Sequence, residues 1–541
     1  MRVVTLALAL LLAVPVGAAA SNAASGWRAA RLITSADAGP AKRFEAFDTA
    51  SLVLADVDGD GRQEVVTQND NNHVYVLDAA RGRILAELTT THPGNDSWGA
   101  RDINPVSVGR LEPGGPICLV VPNGAGYVSA WCYQGKDLVT GRLRFQERWE
   151  IDASPWLYEK GYAAAHPWVD TTQRPGLDGD AFLADVTGDG RPEVFLETDG
   201  PAGQLSFGPD GKYRWSTSMW DGNAGAVVAD LKADGRKEAV FASDAGVISV
   251  YDAKAGKLLW TFDARQHGAA PGSIPVPPLA ADITGDGKPE IVFAARDAHD
   301  AANVMNDHAT WFALAGDGKL LWATSAPWMN PLSYDHPAAL DVNGDGVKDV
   351  VALDWNTIGH KPGNWETTGR PSNLFALDGR TGKPIWHVPV DVDWSNKDFV
   401  VLGHDIILDE RRDGVEGLGV RSLAGGGPTG FFPLPAGWSA MRGPVAGDVD
   451  GDGLVDLVVP LARPDAAPNY RTLDVGHREG ALLVVATGSR APLAWSADIL
   501  GNDVACCGAR TLSWTQRLVP GIAVAPVLAA VALLSLARRR R

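Results

Sequence analysis

At 541 residues, with 61 glycines, 35 prolines and a formal charge of −17, the chain exceeds one ordinary domain. It is also too acidic to hold nucleic acid, whose phosphates demand a basic face. Its glycine and proline content suits many turns and few long helices, which leaves several domains or one large repeat fold.

The first element is a basic start, Met1-Arg2, followed by an apolar run from Val3 to Val16 and small residues with Ala18-x-Ala20 before Ser21. That order reads as a signal peptide over 1–20. A repeat then sets in. Asp56-Val-Asp58-Gly-Asp60-Gly61-Arg-Gln-Glu64 runs straight into Val65-Val66-Thr67. The pattern returns at Asp185–Glu193, Asp230–Glu238, Asp282–Glu290, Asp341–Asp349 and Asp448–Asp456, each time between a small apolar stretch and an apolar run of strand length. The unit is strand, acidic loop, strand.

A second recurring element closes the unit. Val250-Tyr251-Asp252-Ala-Lys-Ala-Gly256-Lys257-Leu258-Leu259-Trp260 reads as a hairpin with a glycine turn. Related endings stop at Trp215, Trp322 and Trp386, with a degenerate copy, Ala491-Pro492-Leu493-Ala494-Trp495. The recurring Trp is read as a packing residue between blades. Residues 106–149 keep the strands but lack the acidic loop; Cys118 and Cys132 flank one of their hairpins, and a disulfide between them would suit an oxidising compartment.

The expected fold is all-β: a β-propeller of four-stranded antiparallel blades over 27–500. The motifs count seven blades; the interval between Trp386 and Val445 has room for an eighth.

The loop chemistry is that of a hard cation. Oxygen side chains at the first, third and fifth positions, a backbone carbonyl at the seventh and a carboxylate at the ninth suit calcium, which takes six to eight oxygens. The ligand sets are Asp56, Asp58, Asp60, Glu64; Asp185, Thr187, Asp189, Glu193; Asp282, Thr284, Asp286, Glu290; Asp341, Asn343, Asp345, Asp349; and Asp448, Asp450, Asp452, Asp456. The sixth loop places Lys232 at the third position, and its ammonium is expected to stand in for an ion. Position 12 is never Glu, so these are not EF-hands. About five structural calcium ions are expected.

On these loops and their spacing, residues from about 50 to 500 resemble the FG-GAP/VCBS repeats, whose members fold as integrin α-type propellers. The Gly-Lys-x-x-Trp endings also resemble quinoprotein-like blades. The resemblance implies calcium in each intact loop of an extracellular protein used for adhesion or ligand display, with a protein or glycan as partner.

Insertions that break the blade rhythm carry candidate ligand-binding residues: Trp156 and Trp168, Trp328 and His336, and Trp355, His360 and Trp365. Rings beside Asn and His suit stacking on a sugar or a protein partner. Two enzymatic readings stand beside the binding one. A polysaccharide lyase on such a propeller would need a base, for which His336, His360 and Lys361 are the weak candidates. A quinone-dependent oxidoreductase is suggested by the adjacent pair Cys506-Cys507, although a linker (501–517), processing or lipid-attachment role fits that pair better.

The chain ends on a 20-residue stretch without formal charge, 518–537, followed by Arg538–Arg541. This reads as a transmembrane or sorting helix with a basic cytoplasmic tail. It also resembles PEP-CTERM-type sorting tails, with Val519-Pro520-Gly521 where that family has Pro-Glu-Pro. Signal and tail together place the propeller outside the cell, tethered to its surface.

Overall fold

Runs such as Glu64–Gln68, Glu238–Ala242 and Asp349–Leu353 are buried along their whole length. Each is the second strand of a blade covered on both faces by neighbouring blades, so the sequence shows a continuous apolar run instead of alternation. Fourth strands lie at the blade edge and alternate or open outwards, as in Lys257–Asp263.

The computed structural model describes residues 23–34, 52–68, 73–89, 106–123, 126–157, 181–197, 204–217, 226–243, 246–267, 278–296, 308–330, 336–354, 357–361, 364–367, 370–392, 399–440, 443–463 and 480–495. The segments read as signal peptide (1–20), linker (501–517) and membrane or sorting helix (518–537) lie outside them. Among the described residues no helix is long and apolar enough to cross a membrane.

Eight antiparallel blades form the propeller. In chain order they span 53–89, 107–152, 181–216, 226–263, 279–325, 338–390, 400–433 and 439–489; we number them 1 to 8. Blade 6 carries an extra hairpin, Thr357–Lys361 with Asn364–Thr367, between its second and third strands. The count of seven is corrected to eight. Blade 7 fills the interval after Trp386 but has no acidic loop: a tight turn at Gly403-His404 joins its first two strands. Its fourth strand, Pro428–Pro433, has no Trp either, so a count based on loops and Trp endings passes over it.

Eight apolar cores match the eight junctions, each drawing its residues from two adjacent blades. The core between blades 8 and 1 joins Val458, Leu482 and Val484 to Leu54, Val65 and Leu77, so the ring closes. The closure is a strand as well as a core. Arg28–Thr34 pairs antiparallel with Gly480–Ser489 and supplies the fourth strand of blade 8. The degenerate ending Leu493–Trp495, expected in that place, pairs instead with Val400–Leu402 of blade 7. Gln63 of blade 1 completes the seam: its N–H donates to the Asp448 carbonyl at 3.2 Å, and its Oε1 accepts the Asp448 N–H at 2.9 Å.

The recurring Trp does pack between blades, and with one geometry. The indole N–H of Trp149, Trp215, Trp260, Trp322 and Trp386 donates to a backbone carbonyl in the third-to-fourth-strand turn of the next blade: Pro209, Ala253, Gly316, Gly379 and Leu423. The ring lies on a glycine of that turn. At Gly382, with φ +68°, a Cβ would stand 2.5 Å from the Trp322 ring, so only glycine fits both the conformation and the contact. At the closing junction Arg31 takes the Trp role, donating to the Arg81 carbonyl at 2.9 Å beside Gly82.

Candidate metal centres

The six acidic loops share one hydrogen-bond scheme and join the first and second strands of blades 1, 3, 4, 5, 6 and 8. In blade 1, Asp56 accepts the N–H groups of Gly59 and Gly61 at 2.8 and 3.1 Å. Asp60 accepts the Arg62 N–H at 3.1 Å, and Glu64 reaches back from its strand to the Val57 N–H at 2.9 Å. The ninth-position acid makes the same return bond in Glu193, Glu238, Glu290, Asp349 and Asp456. Gly59 and Gly61 sit at φ 78° and 89°, which lets the chain fold around its own carboxylates.

This scheme brings oxygens together. Ligand atoms of Asp56, Asp58 and Glu64 lie within 4.8 Å of one another, and so do those of Asp448, Asp450 and Asp456. An all-oxygen set on a flexible loop is the donor chemistry calcium takes, and small enough shells can be completed by backbone carbonyls and water. The residues fit the ion.

The loop of blade 4 does not. Lys232 donates to Glu238 Oε1 at 2.9 Å, filling the ion's place with an ammonium. Ala233 replaces the usual glycine and takes φ 53°, a left-handed conformation that costs a non-glycine residue ~1 kcal/mol.

Two basic contacts escaped the sequence reading. Lys136, from the third strand of blade 2, puts its ammonium 2.8 Å from Asp58 and 3.9 Å from Asp60 of blade 1. Arg380 of blade 6 pairs with Asp345 at 2.7 Å and donates to the Thr284 carbonyl of blade 5 at 3.4 Å, bridging two loops. No local signal announces either residue, because the partners are 78 and up to 96 positions away. Lys136 occupies a place beside Asp58 that an ion would need. Replacing it (Lys136→Met) is expected to raise calcium affinity at that loop up to about fivefold, the worth of one ion pair at a protein surface. Calorimetric titration reads the change; an unaltered isotherm would count against competition.

Crowding acids in a buried turn shifts their titration. Burial pushes the Glu64 carboxyl up to about 8, with the charges of Asp58, Asp60 and Asp56 adding to it. Burial likewise lifts Glu290 and Asp456 to about 7, helped by their loop aspartates, and raises Glu193 and Asp349. Metal-free folded protein therefore holds protons that the unfolded chain releases near pH 4, so its stability falls as pH rises from about 4 towards 8. Calcium requires the ionised carboxylates and reverses the slope. In chelator the unfolding midpoint is expected to be higher near pH 5 than near pH 8, and with calcium the order inverts. Equal midpoints in chelator would contradict the crowding.

Among the described residues, Trp156 and Trp328 stand at different blade junctions. Trp156 is half-buried and stacks on Tyr213 of blade 3 at 4.8 Å. Trp328 is half-buried and stacks on His387 of blade 6 at 4.3 Å. His336 is half-buried just before the first strand of blade 6. His360, Lys361 and Trp365 fall in the extra hairpin of that blade, while Trp168, Trp355 and the Cys506-Cys507 pair lie outside the described residues. Near Trp328 a buried polar cluster escaped the sequence reading: Asp354 accepts the Asn330 and Asn373 backbone N–H groups at 3.0 and 2.7 Å, and Asn330 Nδ2 at 2.9 Å. It closes the second-to-third-strand turn that carries the extra hairpin.

Residues 282–352, from the blade 5 loop through the blade 6 loop and its following strand, match the family described as FG-GAP-like repeat. This segment is an FG-GAP-like repeat. Its acidic loop and following second strand recur in the other looped blades, and its Trp-closed ending recurs in blades 3, 4 and 6. Comparison with curated proteins finds no match. Among solved structures, the propeller is similar to a europium-containing methanol dehydrogenase at 13% identity, covering 86% of this chain and 94% of that one, with a TM-score of 0.52. It is also similar to Sqt1 of Saccharomyces cerevisiae at 10% identity, 81% and 96% coverage and a TM-score of 0.50. At such identities the likeness is one of fold.

Proposed function

We propose that this protein is a calcium-clamped binding propeller of the cell exterior, with calcium in five of its six acidic loops and a protein or glycan as its ligand. The observation that carries this reading is the repetition of one all-oxygen loop geometry at the same place in blade after blade. A catalytic metal is needed once; a clamp is useful at every blade. Lys232 supports it from the other side: this loop places a cation at a ligand position, where its ammonium pairs with Glu238.

An exterior location is supported by the Cys118–Cys132 disulfide, which persists in oxidising compartments, and by the two terminal segments. The C-terminal apolar stretch would hold the ring at a membrane, leaving the inserted loops of blades 2, 5 and 6 to meet the ligand. The test is the bound-metal count of the purified protein after dialysis against calcium. About five ions, falling by one with Asp448→Ala, is the expected result; metal-free protein would overturn the reading.

A further inference from the structure

Blade 2 departs from its siblings on the face that carries the acidic loops. Its third and fourth strands, Tyr127–Lys136 and Leu143–Asp152, are ten residues each, against six and seven in blade 4. Cys132, paired across to Cys118 and disulfide-bonded to it, fixes the base of this hairpin to the second strand. The strands then run on to a turn at Asp137–Gly141, held over blade 1 by Lys136 on Asp58 and by Arg83 on the Thr140 carbonyl at 3.3 Å.

The turn is well ordered and its tip is apolar. Asp137 accepts the Val139 and Thr140 N–H groups at 2.9 and 2.8 Å, and its carbonyl accepts the Gly141 N–H at 2.8 Å. Leu138 and Val139 are each 96% exposed, whereas Ala79 and Ala253 in the sibling turns are fully buried. Turn chemistry favours Gly, Asn, Asp, Ser or Pro at such a tip, so folding gives no reason for a Leu-Val pair there. Around it stand Arg83, Arg142 and Arg144, all exposed, in a chain whose formal charge is −17.

We propose that this hairpin docks the propeller on an anionic lipid surface, Leu138 and Val139 entering the headgroup layer while Arg83, Arg142 and Arg144 contact the lipid phosphates. A lipid surface fits better than a protein. Two side chains on a convex tip are far short of the ~800 Å² per partner of a stable protein interface. A fluid headgroup layer needs no shape complement, and each arginine near an anionic surface adds attraction. Docking by so small an apolar group is reversible on its own. The inference does not rest on an ion in the loops.

The experiment is co-sedimentation of residues 23–508, a ring that closes with its own strands, with phosphatidylcholine vesicles with and without phosphatidylglycerol, in calcium and again in chelator. Binding to the anionic vesicles in both buffers is expected, weakening with salt. Leu138→Ser/Val139→Ser should lower it about tenfold or more, with the unfolding midpoint unchanged because neither side chain packs on the fold. Arg142→Gln/Arg144→Gln should lower it about fivefold per arginine, the equivalent of ~1 kcal/mol each. The proposal is overturned if the wild-type ring ignores anionic vesicles, or if the serine variant binds as wild type. Binding that requires calcium and survives the serine changes would also overturn it, as lipid bridging by the loops. So would self-association that those changes abolish, which would make the tip a contact between copies.

Discussion

Chelation of calcium lowers the unfolding midpoint of the propeller by about 7 °C in the expected outcome. Extracellular calcium modules bind with dissociation constants of about 10⁻⁴–10⁻³ M. At calcium about tenfold above that constant, one site contributes roughly 1.4 kcal/mol by mass action, and five contribute ~7 kcal/mol. A ring of roughly 470 residues unfolds with an entropy near 1 kcal/mol/K, which converts that sum to the stated shift. Differential scanning calorimetry with calcium and with chelator measures it. A midpoint that does not move would remove the clamp and leave the loops as hydrogen-bonded turns.

The second large effect belongs to the indole seam. Trp322→Ala should destabilise the ring by ~3–5 kcal/mol, the usual result of emptying a large aromatic site in a packed core. The side chain is 7% exposed, stands in the core between blades 5 and 6, and gives its N–H to Gly379 at 2.7 Å. Trp322→Phe keeps most of the packing and loses the hydrogen bond, leaving the Gly379 carbonyl short of a donor, so about 1–2 kcal/mol is expected. Urea unfolding separates the two. If alanine costs no more than phenylalanine, the junction is held by its apolar core alone and the seam is incidental.

What could be read from the residues alone follows from range. The acidic loop is nine residues with its ligands, glycines and following strand in one stretch, and a short motif repeated six times declares itself. The Trp endings are equally local, and the Cys118–Cys132 bond joins facing positions of one hairpin. Blade 7 was hidden because it carries neither the acidic loop nor a Trp ending. Its strands depend for recognition on Val400–Leu402 and its neighbours packing as a sheet, which no motif marks. Lys136, Arg380 and Gln63 act on partners in other blades, so only the folded ring brings them to bear. Trp156 and Trp328 each stack on a ring of the blade that follows, Tyr213 and His387, and such a contact across a junction leaves no mark in the local sequence.

The N-terminal strand has a consequence for how the protein is made. Arg28–Thr34 is synthesised before any blade, yet its partner strand, Gly480–Ser489, belongs to the last blade. Closing so long a loop is entropically slow to nucleate. Until then blade 8 lacks its outer strand, blade 1 lacks a wall, and two unpaired strand edges stand open to any other chain. Translation therefore ends with a molecule still incomplete. Moving residues 23–34 to follow the last blade by circular permutation would shorten that wait while keeping the pairing of Arg28–Thr34 with Gly480–Ser489.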